Sequence, residues 1–396
     1  MNMVGRGTTE AFAVFLLPVE REFGASRSAV AGVYSLYILV LGSTGPFVGQ
    51  LVDRLGIRAS YGLGVLGLGT SYLLAGAATS LWQFTLVIGL LSGIGAACLG
   101  MVVASSLLSR WFTRRLGAVM SVPYAAFGAG VLVLPPLTQV LLDWLGWRMA
   151  YRLLGLGILS LLPLILLLPL GRMAAGSPEW QSTRRQAASA MGSPWTLSRA
   201  IHTSAFWGMV AAYFFTSVAS FSVAPHSVAY LVERGFSPLI AASAFGMAGA
   251  LAAAGIVAMG VLSDRVGRAA AATISYLSSI LGIVLLLLVM QWPSLALVYG
   301  FVFFFGSMQG ARGPIILAMI ATLYRGGNVG SIFGAMSLGM GAGGALGSWI
   351  SGLLHDLTGS YLISFLVGIS AAFCGMACFW LAPSLRHERL STRTDA

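Results

Sequence analysis

Two arginines and one glutamate lie inside apolar stretches of this sequence, where an ionisable side chain is costly. Arg312 is the only charged residue in the segment Leu295–Leu323, and Arg6 and Glu10 lie one helical turn apart near the start of the chain. A guanidinium group presents paired N–H donors that match the two oxygens of a carboxylate. These residue types therefore predict a site for a small organic anion.

Polar side chains on neighbouring predicted helices add ligands to this site. One polar stripe, at three- and four-residue spacing, runs from Tyr213 to Ser220 along an apolar helix. The candidate substrate ligands are Arg312, Arg6, Tyr213, Ser217, Ser220, Thr9 and Tyr124. Glu10 and His226 are the candidates for proton coupling, because a carboxylate and an imidazole can each take up a proton.

Each of these residues also has a structural interpretation, which stays open at this point. Arg6 and Glu10 can neutralise each other, and Arg312 can donate to a backbone carbonyl or extend toward an interface. Arg312 lies about ten residues, roughly 15 Å, from the nearer end of its predicted helix, which is far for an arginine side chain. We therefore expect Arg312 to line a central cavity. An isolated histidine that follows a proline, as His226 does, is more often structural.

The composition indicates what surrounds these residues. Hydrophobic residues make up 58% of the 396 residues and charged residues 8%, and the mean hydropathy is +0.89. A soluble domain carries about 25% charged residues, so the chain is predicted to be an all-α membrane protein. The net charge of +11 comes from arginines in loops, which favours a membrane surface over nucleic acid as their partner. No nucleophile–base set and no metal-ligand spacing occurs, so we expect no enzyme activity, no cofactor and no catalytic or metal site.

Apolar runs of about 20 residues, the length that crosses a bilayer, recur along the whole chain. Twelve transmembrane helices are predicted at 1–19, 29–51, 59–78, 81–108, 116–142, 150–170, 204–229, 238–261, 270–290, 294–322, 329–354 and 361–382. A long polar stretch separates the sixth helix from the seventh. The predicted units are a six-helix bundle over 1–170, a cytoplasmic linker over 171–201, a second six-helix bundle over 202–383 and a cytoplasmic tail over 384–396.

The distribution of arginine predicts the orientation in the membrane. With the amino terminus inside, the cytoplasmic loops and the tail contain fifteen of the 22 arginines, and the outer loops contain five. Because basic residues collect on the cytoplasmic side, both termini are expected there. The two arginines that belong to neither set are Arg6 and Arg312.

The two halves repeat each other in sequence. The segment GQLVDRLGIR (Gly49–Arg58) returns 211 residues later as GVLSDRVGR (Gly260–Arg268), and EFGAS, ending at Ser26, returns at the same offset as ERGFS, ending at Ser237. Two related six-helix halves are typical of transporters with a site between the halves near the membrane midplane. The same offset places the first turns of helix one before Met1, so either translation starts upstream or helix one is short.

With these motifs, the chain resembles the major facilitator superfamily over its whole length. Gly49–Arg58 is similar to the loop signature of the superfamily between helices two and three, and Gly260–Arg268 to its echo in the second half. More narrowly, SRWFTRRLG (Ser109–Gly117) and GWRMAY (Gly146–Tyr151) look like the branch of monocarboxylate porters and oxalate:formate antiporters. The resemblance implies two pseudo-symmetric six-helix bundles, with helices one, four, seven and ten lining a central cavity.

The resemblance also implies a gating function for the loop signature. Its residues are Gly49, Asp53, Arg54, Gly56, Arg58, Gly260, Asp264, Arg265, Gly267 and Arg268. Asp53 and Asp264 would latch the two halves together on the cytoplasmic side when the site opens outward. The alternative is that these charges only set the topology.

Charge count and resemblance together predict a secondary active transporter. The substrate would be a small organic anion, most simply a monocarboxylate, moved by alternating access with a proton or a counter-anion. The expected setting is a monomer in the cytoplasmic membrane of a bacterium. The alternative is an exporter of drugs, sugars or other metabolites, although Ala125–Leu137 lacks the Gly-Pro core that resemblance to drug exporters would require. The chain also departs from the branch, because 238–261 and 329–354 contain no Arg or Lys, where its porters usually carry a basic residue.

Overall fold

The computed structural model describes residues 1–108, 110–111, 116–173, 196–324 and 329–381. For some helical residues within these ranges, among them Asp53, Tyr124 and Asp264, only the backbone is described. Most of the predicted linker and the whole predicted tail lie outside the described residues, as does most of the segment Ser109–Gly117.

Helices account for nearly all of the described first half. They are α1 (Asn2–Glu10), α2 (Phe12–Phe23), α3 (Arg27–Ala75), α4 (Leu81–Phe84), a π-helix (Thr85–Leu91), α5 (Ser92–Leu99), α6 (Met101–Leu108), α7 (Leu116–Leu159), α8 (Leu162–Leu167) and α9 (Leu170–Met173). Both α3 and α7 contain a sharp kink, at Gly56 and Gly146 respectively, so each consists of two consecutive helices.

The described second half is helical in the same way. Its helices are α10 (Leu197–Ala200), α11 (Ser204–Phe221), α12 (Ala224–Glu233), α13 (Pro238–Val266), α14 (Arg268–Leu288), α15 (Leu295–Phe304), a short 3₁₀ turn (Gly306–Met308), α16 (Arg312–Leu323), α17 (Val329–Thr358) and α18 (Leu362–Leu381). The described residues contain no strand.

Seven helical stretches of the described chain are long and apolar enough, by length and composition, to cross a membrane. They are Arg27–Gly45, Leu81–Leu108, Ala125–Leu167, Ser204–Glu233, Pro238–Ser263, Arg268–Leu288 and Leu362–Leu381. The prediction of an all-α membrane protein is confirmed. Each of the twelve predicted ranges is helical over most of its described residues, while the number of spans and the division into two bundles stay predictions.

The sequence repeat reappears in the backbone as pairs of glycines with positive φ. These pairs are Gly24 with Gly235, Gly56 with Gly267, and Gly146 with Gly359, at offsets of 211, 211 and 213 residues. At Gly56 and Gly267, the glycines of the loop signature, φ is 84° and 89°, a conformation that disfavours any side chain with a Cβ. Gly310 is the remaining described residue with positive φ, and the repeat gives it no partner.

The glycine at 310 interrupts the tenth predicted helix next to Arg312. After α15 and the 3₁₀ turn, Gln309 is extended, Gly310 has φ of 77°, and α16 begins at Arg312. The fourth predicted helix is also interrupted, by the extended backbone of Gly100 between α5 and α6. Helix breaks at membrane depth occur where the backbone is buried in protein or lines a cavity.

Small residues bring the two halves into close contact along two helix crossings. Where α3 meets α17, a Cβ at Gly42 would lie 3.0 Å from the Gly341 Cα. Where α7 meets α13, a Cβ at Gly246 would lie 2.8 Å from the Leu132 carbonyl oxygen. Such approaches are how helices associate in hydrocarbon, where no hydrophobic force drives them together.

Substitution of Gly42 tests the first crossing. We expect Gly42→Val to destabilise the protein by about 1–3 kcal/mol, because the added atoms meet backbone that has to shift. Gly45→Val is the matched control, since a Cβ there, about one turn away on the same face, meets no described atom within 4 Å. Thermal unfolding of both variants in detergent measures the difference, and equal midpoints would contradict the assigned crossing.

Candidate functional site

Arg6 and Glu10 form an ion pair along the first helix. The Arg6 Nη2 lies 2.9 Å from the Glu10 Oε1, and the two side chains are 29% and 12% exposed. The pair spans the end of α1, where the chain bends at Ala11 before α2 begins. Because both groups are partly withdrawn from water, the opposite charge of each one offsets the cost of burying the other.

Aromatic side chains enclose this pair. The Tyr34 hydroxyl on α3 donates to the Glu10 Oε2 at 3.1 Å, and the Arg6 guanidinium carbon lies 5.1 Å from the ring centre of Phe127 on α7. Tyr37 stacks on Tyr34, and its buried hydroxyl lies beside Arg6. Three helices of the first half therefore converge on one ion pair.

The site reaches the second half through Phe221 at the end of α11. The ring centres of Tyr34 and Phe221 lie 6.3 Å apart. Ser217 and Tyr213 lie one and two turns before Phe221 on the same face of α11. Both are buried, and the Tyr213 hydroxyl donates to the Gly313 carbonyl at 3.4 Å.

The remaining predicted ligands are Thr9, Ser220 and Tyr124. The Thr9 hydroxyl is buried and donates to the carbonyls of Gly5 and Arg6, at 2.9 and 3.0 Å, so its donor is already engaged. Ser220 on α11 is half-buried. The Tyr124 side chain lies outside the described residues.

Arg312 makes a different set of contacts. Its Nε donates to the Ser275 Oγ at 3.0 Å, and its Nη2 donates to the Ser275 carbonyl at 2.8 Å and to the Ser279 Oγ at 2.5 Å. The guanidinium carbon lies 4.1 Å above the ring of Tyr276, whose hydroxyl shares a hydrogen bond with Thr216 on α11. All three bonds lead to α14, and Arg312 is only 3% exposed.

These contacts differ from the expectation that Arg312 lines the central cavity. The guanidinium is directed at α14, and the alternative of pairing with a carbonyl is present at Ser275. The expectation rested on the depth of Arg312 along its helix, and depth does not decide which neighbouring helix a side chain faces. The contacts described for Arg312 share no residue with those of Arg6.

The contacts described for His226 do not include Arg6 or Glu10. It is fully buried on α12, where its Nε2 lies 3.0 Å from the Ser348 carbonyl and its Nδ1 lies 3.4 Å from the Tyr361 hydroxyl. Tyr361 in turn accepts a hydrogen bond from Arg27. The two candidates for proton coupling, Glu10 and His226, thus belong to separate clusters.

The loop signature lies at kinks between consecutive helices in both halves. Gly56 and Gly267 form the kinks, Arg54 and Arg265 are exposed, and Arg58 donates to the Leu168 carbonyl at 2.6 Å. Arg268 begins α14, and neither Gly49 nor Gly260 would bring a Cβ within 4 Å of a described atom. The Asp53 and Asp264 side chains lie outside the described residues, so the latch stays a prediction.

Two features of the site are absent from the sequence-based prediction. The contact of Tyr34 with Glu10 and the stacking of Arg6 on Phe127 need the positions of three helices, although the spacing of Tyr34 and Tyr37 on one face of α3 is a visible signal. The cluster around Arg27 is the other feature, and the sequence indicates only an outer loop there. In the part of the chain that the structure describes, no group of three or more His, Cys, Asp or Glu residues is arranged to hold a metal.

Comparison with known proteins identifies the family to which the chain is similar. A family model described as Major Facilitator Superfamily matches residues 1–311 and 253–395. The MFS-type transporter YcxA of Bacillus subtilis is 26% identical over 390 residues, covering 96% of this chain and 91% of that protein. Monocarboxylate transporter 13 of Rattus norvegicus is 30% identical, covering 91% of this chain and 81% of that protein. Monocarboxylate transporter 11 of Homo sapiens is 28% identical, covering 95% and 79%.

Removal of the Ser275 hydroxyl tests whether its hydrogen bond with Arg312 stabilises the protein. We expect Ser275→Ala to destabilise the protein by about 1–3 kcal/mol, because a buried charged donor then lacks a partner. Ser278→Ala is the matched control on the same helix, since the Ser278 hydroxyl donates to the Phe304 carbonyl instead of contacting Arg312. Thermal unfolding in detergent compares the two, and a loss no larger for Ser275→Ala than for Ser278→Ala would contradict this assignment.

Proposed function

The chain belongs to the major facilitator superfamily, and on that premise we propose that it is a secondary active transporter of a small organic anion. The substrate class proposed is a monocarboxylate. Transport is by alternating access of one site, coupled to a proton or to exchange against a second anion. The observation that carries the proposal is the part-exposed Arg6–Glu10 pair beside Tyr34 and Phe127.

Arg6 is the proposed ligand for the carboxylate. Its only described carboxylate partner is Glu10, one turn away on the same helix, and more of its side chain is exposed than of the Glu10 side chain. A substrate carboxylate offers the guanidinium the same two-oxygen geometry that Glu10 offers now. Substrate and Glu10 therefore compete for one cation.

Competition for Arg6 gives Glu10 a reason to take up a proton. When the substrate occupies Arg6, an ionised Glu10 is a buried carboxylate without its cation, which is costly. A proton on Glu10 removes that charge, and the protonated carboxyl can still accept a hydrogen bond from Tyr34. The empty site with Arg6⁺ and Glu10⁻ is neutral, and so is the loaded site with Arg6⁺, protonated Glu10 and one carboxylate. Both forms can then change conformation without carrying net charge.

Contacts on the second half extend the proposed site. Phe221 lies beside Tyr34, so the face of α11 that carries Ser217 and Tyr213 is the proposed opposite wall. Arg312 contacts α11 indirectly. Its guanidinium lies over the ring of Tyr276, and the Tyr276 hydroxyl shares a hydrogen bond with Thr216 on α11. We assign Arg312 the role of fixing α14 and α16 against α11. The names of the relatives in rat and human support a monocarboxylate as the substrate class.

The proposed setting follows from the arginine distribution. Fifteen of the 22 arginines fall in the loops and the tail on one predicted side, which supports a cytoplasmic position for both termini. We propose a monomer in the cytoplasmic membrane of a bacterium, with the loop signature on the inner side and Arg27 on the outer side.

Uptake of labelled monocarboxylates into proteoliposomes tests the role of Arg6. We expect Arg6→Gln to lower uptake at least about tenfold, because charge-assisted hydrogen bonds contribute roughly 1.5–3 kcal/mol. Arg21→Gln, at an exposed arginine of α2, is the control and is expected to transport normally. Uptake by Arg6→Gln equal to that of the control would remove Arg6 from the site.

An imposed pH gradient tests the role of Glu10 separately. We expect an inward proton gradient to stimulate uptake by the wild-type protein and to have no effect on Glu10→Gln, which keeps the site permanently uncharged at position 10. Exchange of labelled for unlabelled substrate is expected to survive in this variant. If Glu10→Gln still responds to the gradient and His226→Asn does not, the coupling residue is His226.

A further inference from the structure

Arg27 holds together residues from both halves at one end of the molecule. Its Nε donates to the Glu20 Oε2 at 2.5 Å, and its Nη2 donates to the Glu233 Oε1 at 2.8 Å. Its Nη1 donates to the Tyr361 hydroxyl. Glu20 belongs to the first half, like Arg27, whereas Glu233 and Tyr361 belong to the second half. The Arg27 side chain is only 4% exposed, whereas the side chains of Glu20 and Glu233 are 25% and 32% exposed.

A second link joins the halves at the same place. Asp356, at the end of α17, accepts hydrogen bonds from the backbone amides of Arg27 and Ser28, both at 2.8 Å. A carboxylate at the first amides of a helix is stabilising, and here it comes from the other half. Partial burial raises the pKa of the Asp356 carboxyl, but the hydrogen bonds from Ser28 and Arg27 outweigh burial and hold this pKa below its usual value.

Polar residues of the second half support the partners of Arg27. Glu233 also lies 3.6 Å from the His355 Nε2, and Tyr361 packs against His355 with ring centres 4.4 Å apart. His226 lies behind Tyr361, with 3.4 Å between its Nδ1 and the Tyr361 hydroxyl. None of these contacts involves Arg6 or Glu10.

Close approaches between α3 and α17 are described from the Arg27 end as far as Gly42. A Cβ at Gly352 would lie 2.9 Å from the Ser28 Cα, and one at Gly42 would lie 3.0 Å from the Gly341 Cα. Gly45 and Gly49 follow Gly42 on the same face of α3, and a Cβ at either would meet no described atom within 4 Å. Among the described residues, the two halves therefore approach each other most closely on α3 between Ser28 and Gly42, on the side of Arg27.

We propose that Arg27 is the outer gate residue of this transporter, and that its bond to Glu233 holds the two halves closed on the outer side. The inference rests on the proposed function, because only a transporter has a reason to open alternately at two ends. Opening outward has to separate the Arg27 side chain from Glu233 and Tyr361. It also has to separate the backbone amides of Arg27 and Ser28 from Asp356. Glu20 stays with Arg27 because both belong to the first half, so the arginine keeps one carboxylate partner in the open state and is never left buried without one.

The sequence repeat provides a matched pair of glutamates for the test. Glu22 and Glu233 correspond at the offset of 211, in EFGAS and ERGFS. Glu22 also forms an outer ion pair, with Arg148 at 2.8 Å, but Arg148 belongs to the same half. Loss of the Glu22 pair therefore removes an outer ion pair of the same type without loosening one half from the other.

The experiment measures access from outside to a cysteine on α11, next to Phe221, which contacts Tyr34 of the first half. The three native cysteines, Cys98, Cys374 and Cys378, are replaced by alanine, and Ser220→Cys on α11 provides the reporter. The reaction of the reporter with a membrane-impermeant maleimide is followed in right-side-out vesicles without substrate. We expect slow labelling in this background. Glu233→Gln, which keeps the size of a part-exposed side chain, should raise the labelling rate at least about tenfold, the effect of a 1.4 kcal/mol shift between closed and open states.

Glu22→Gln is the control and should leave the labelling rate unchanged. Equal rates for Glu233→Gln and the background, or an equal increase in Glu22→Gln, would overturn the proposal. Rapid labelling of the background from outside would overturn it as well, because the Arg27 end would then be open or would face the cytoplasm. Asp356→Asn is a second variant and should raise the rate in the same direction. The readout needs no substrate, so failure of monocarboxylate uptake would reject the proposed function without affecting this result.

Discussion

A guanidinium group that leaves water needs partners for its charge and its donors, and this requirement organises the interior of the protein. Three arginines, one partly exposed and two almost fully buried, meet it in three ways. Arg6 is neutralised by a glutamate on its own helix, Arg312 is satisfied by hydroxyl and carbonyl oxygens of α14, and Arg27 is shared between glutamates of the two halves. Arg312 and Arg27 join separate helices, and Glu10, the partner of Arg6, accepts a hydrogen bond from Tyr34 on α3.

The kind of partner decides what each arginine can do. Arg6 has one carboxylate partner and remains partly exposed, so a ligand of the same chemistry can replace that partner. Arg312 is bonded to a backbone carbonyl and two serines and is almost fully buried, which fits a group that holds helices in place. Arg27 has one partner on its own half and one on the other, which fits a contact that breaks and reforms.

The agreement between sequence and structure is best where a residue type allows few conformations. The repeat of 211 to 213 residues returns as three pairs of positive-φ glycines, because glycine tolerates this backbone and other residues do not. The apolar runs return as helices, because a backbone in hydrocarbon has to satisfy its hydrogen bonds internally. The ion pair of Arg6 and Glu10 was predictable for a similar reason, since one helical turn fixes their distance.

The sequence by itself determined the class of protein and the internal repeat, both of which follow from composition and from spacing along one chain. Only the tertiary structure decided which way each charge points. Arg312 donates to Ser275 and Ser279 on α14, and Arg27 meets Glu233 where α3 of the first half approaches α12 of the second half. Spacing along a helix fixes neighbours on that helix, whereas contacts between helices depend on rotation and packing that no local pattern records.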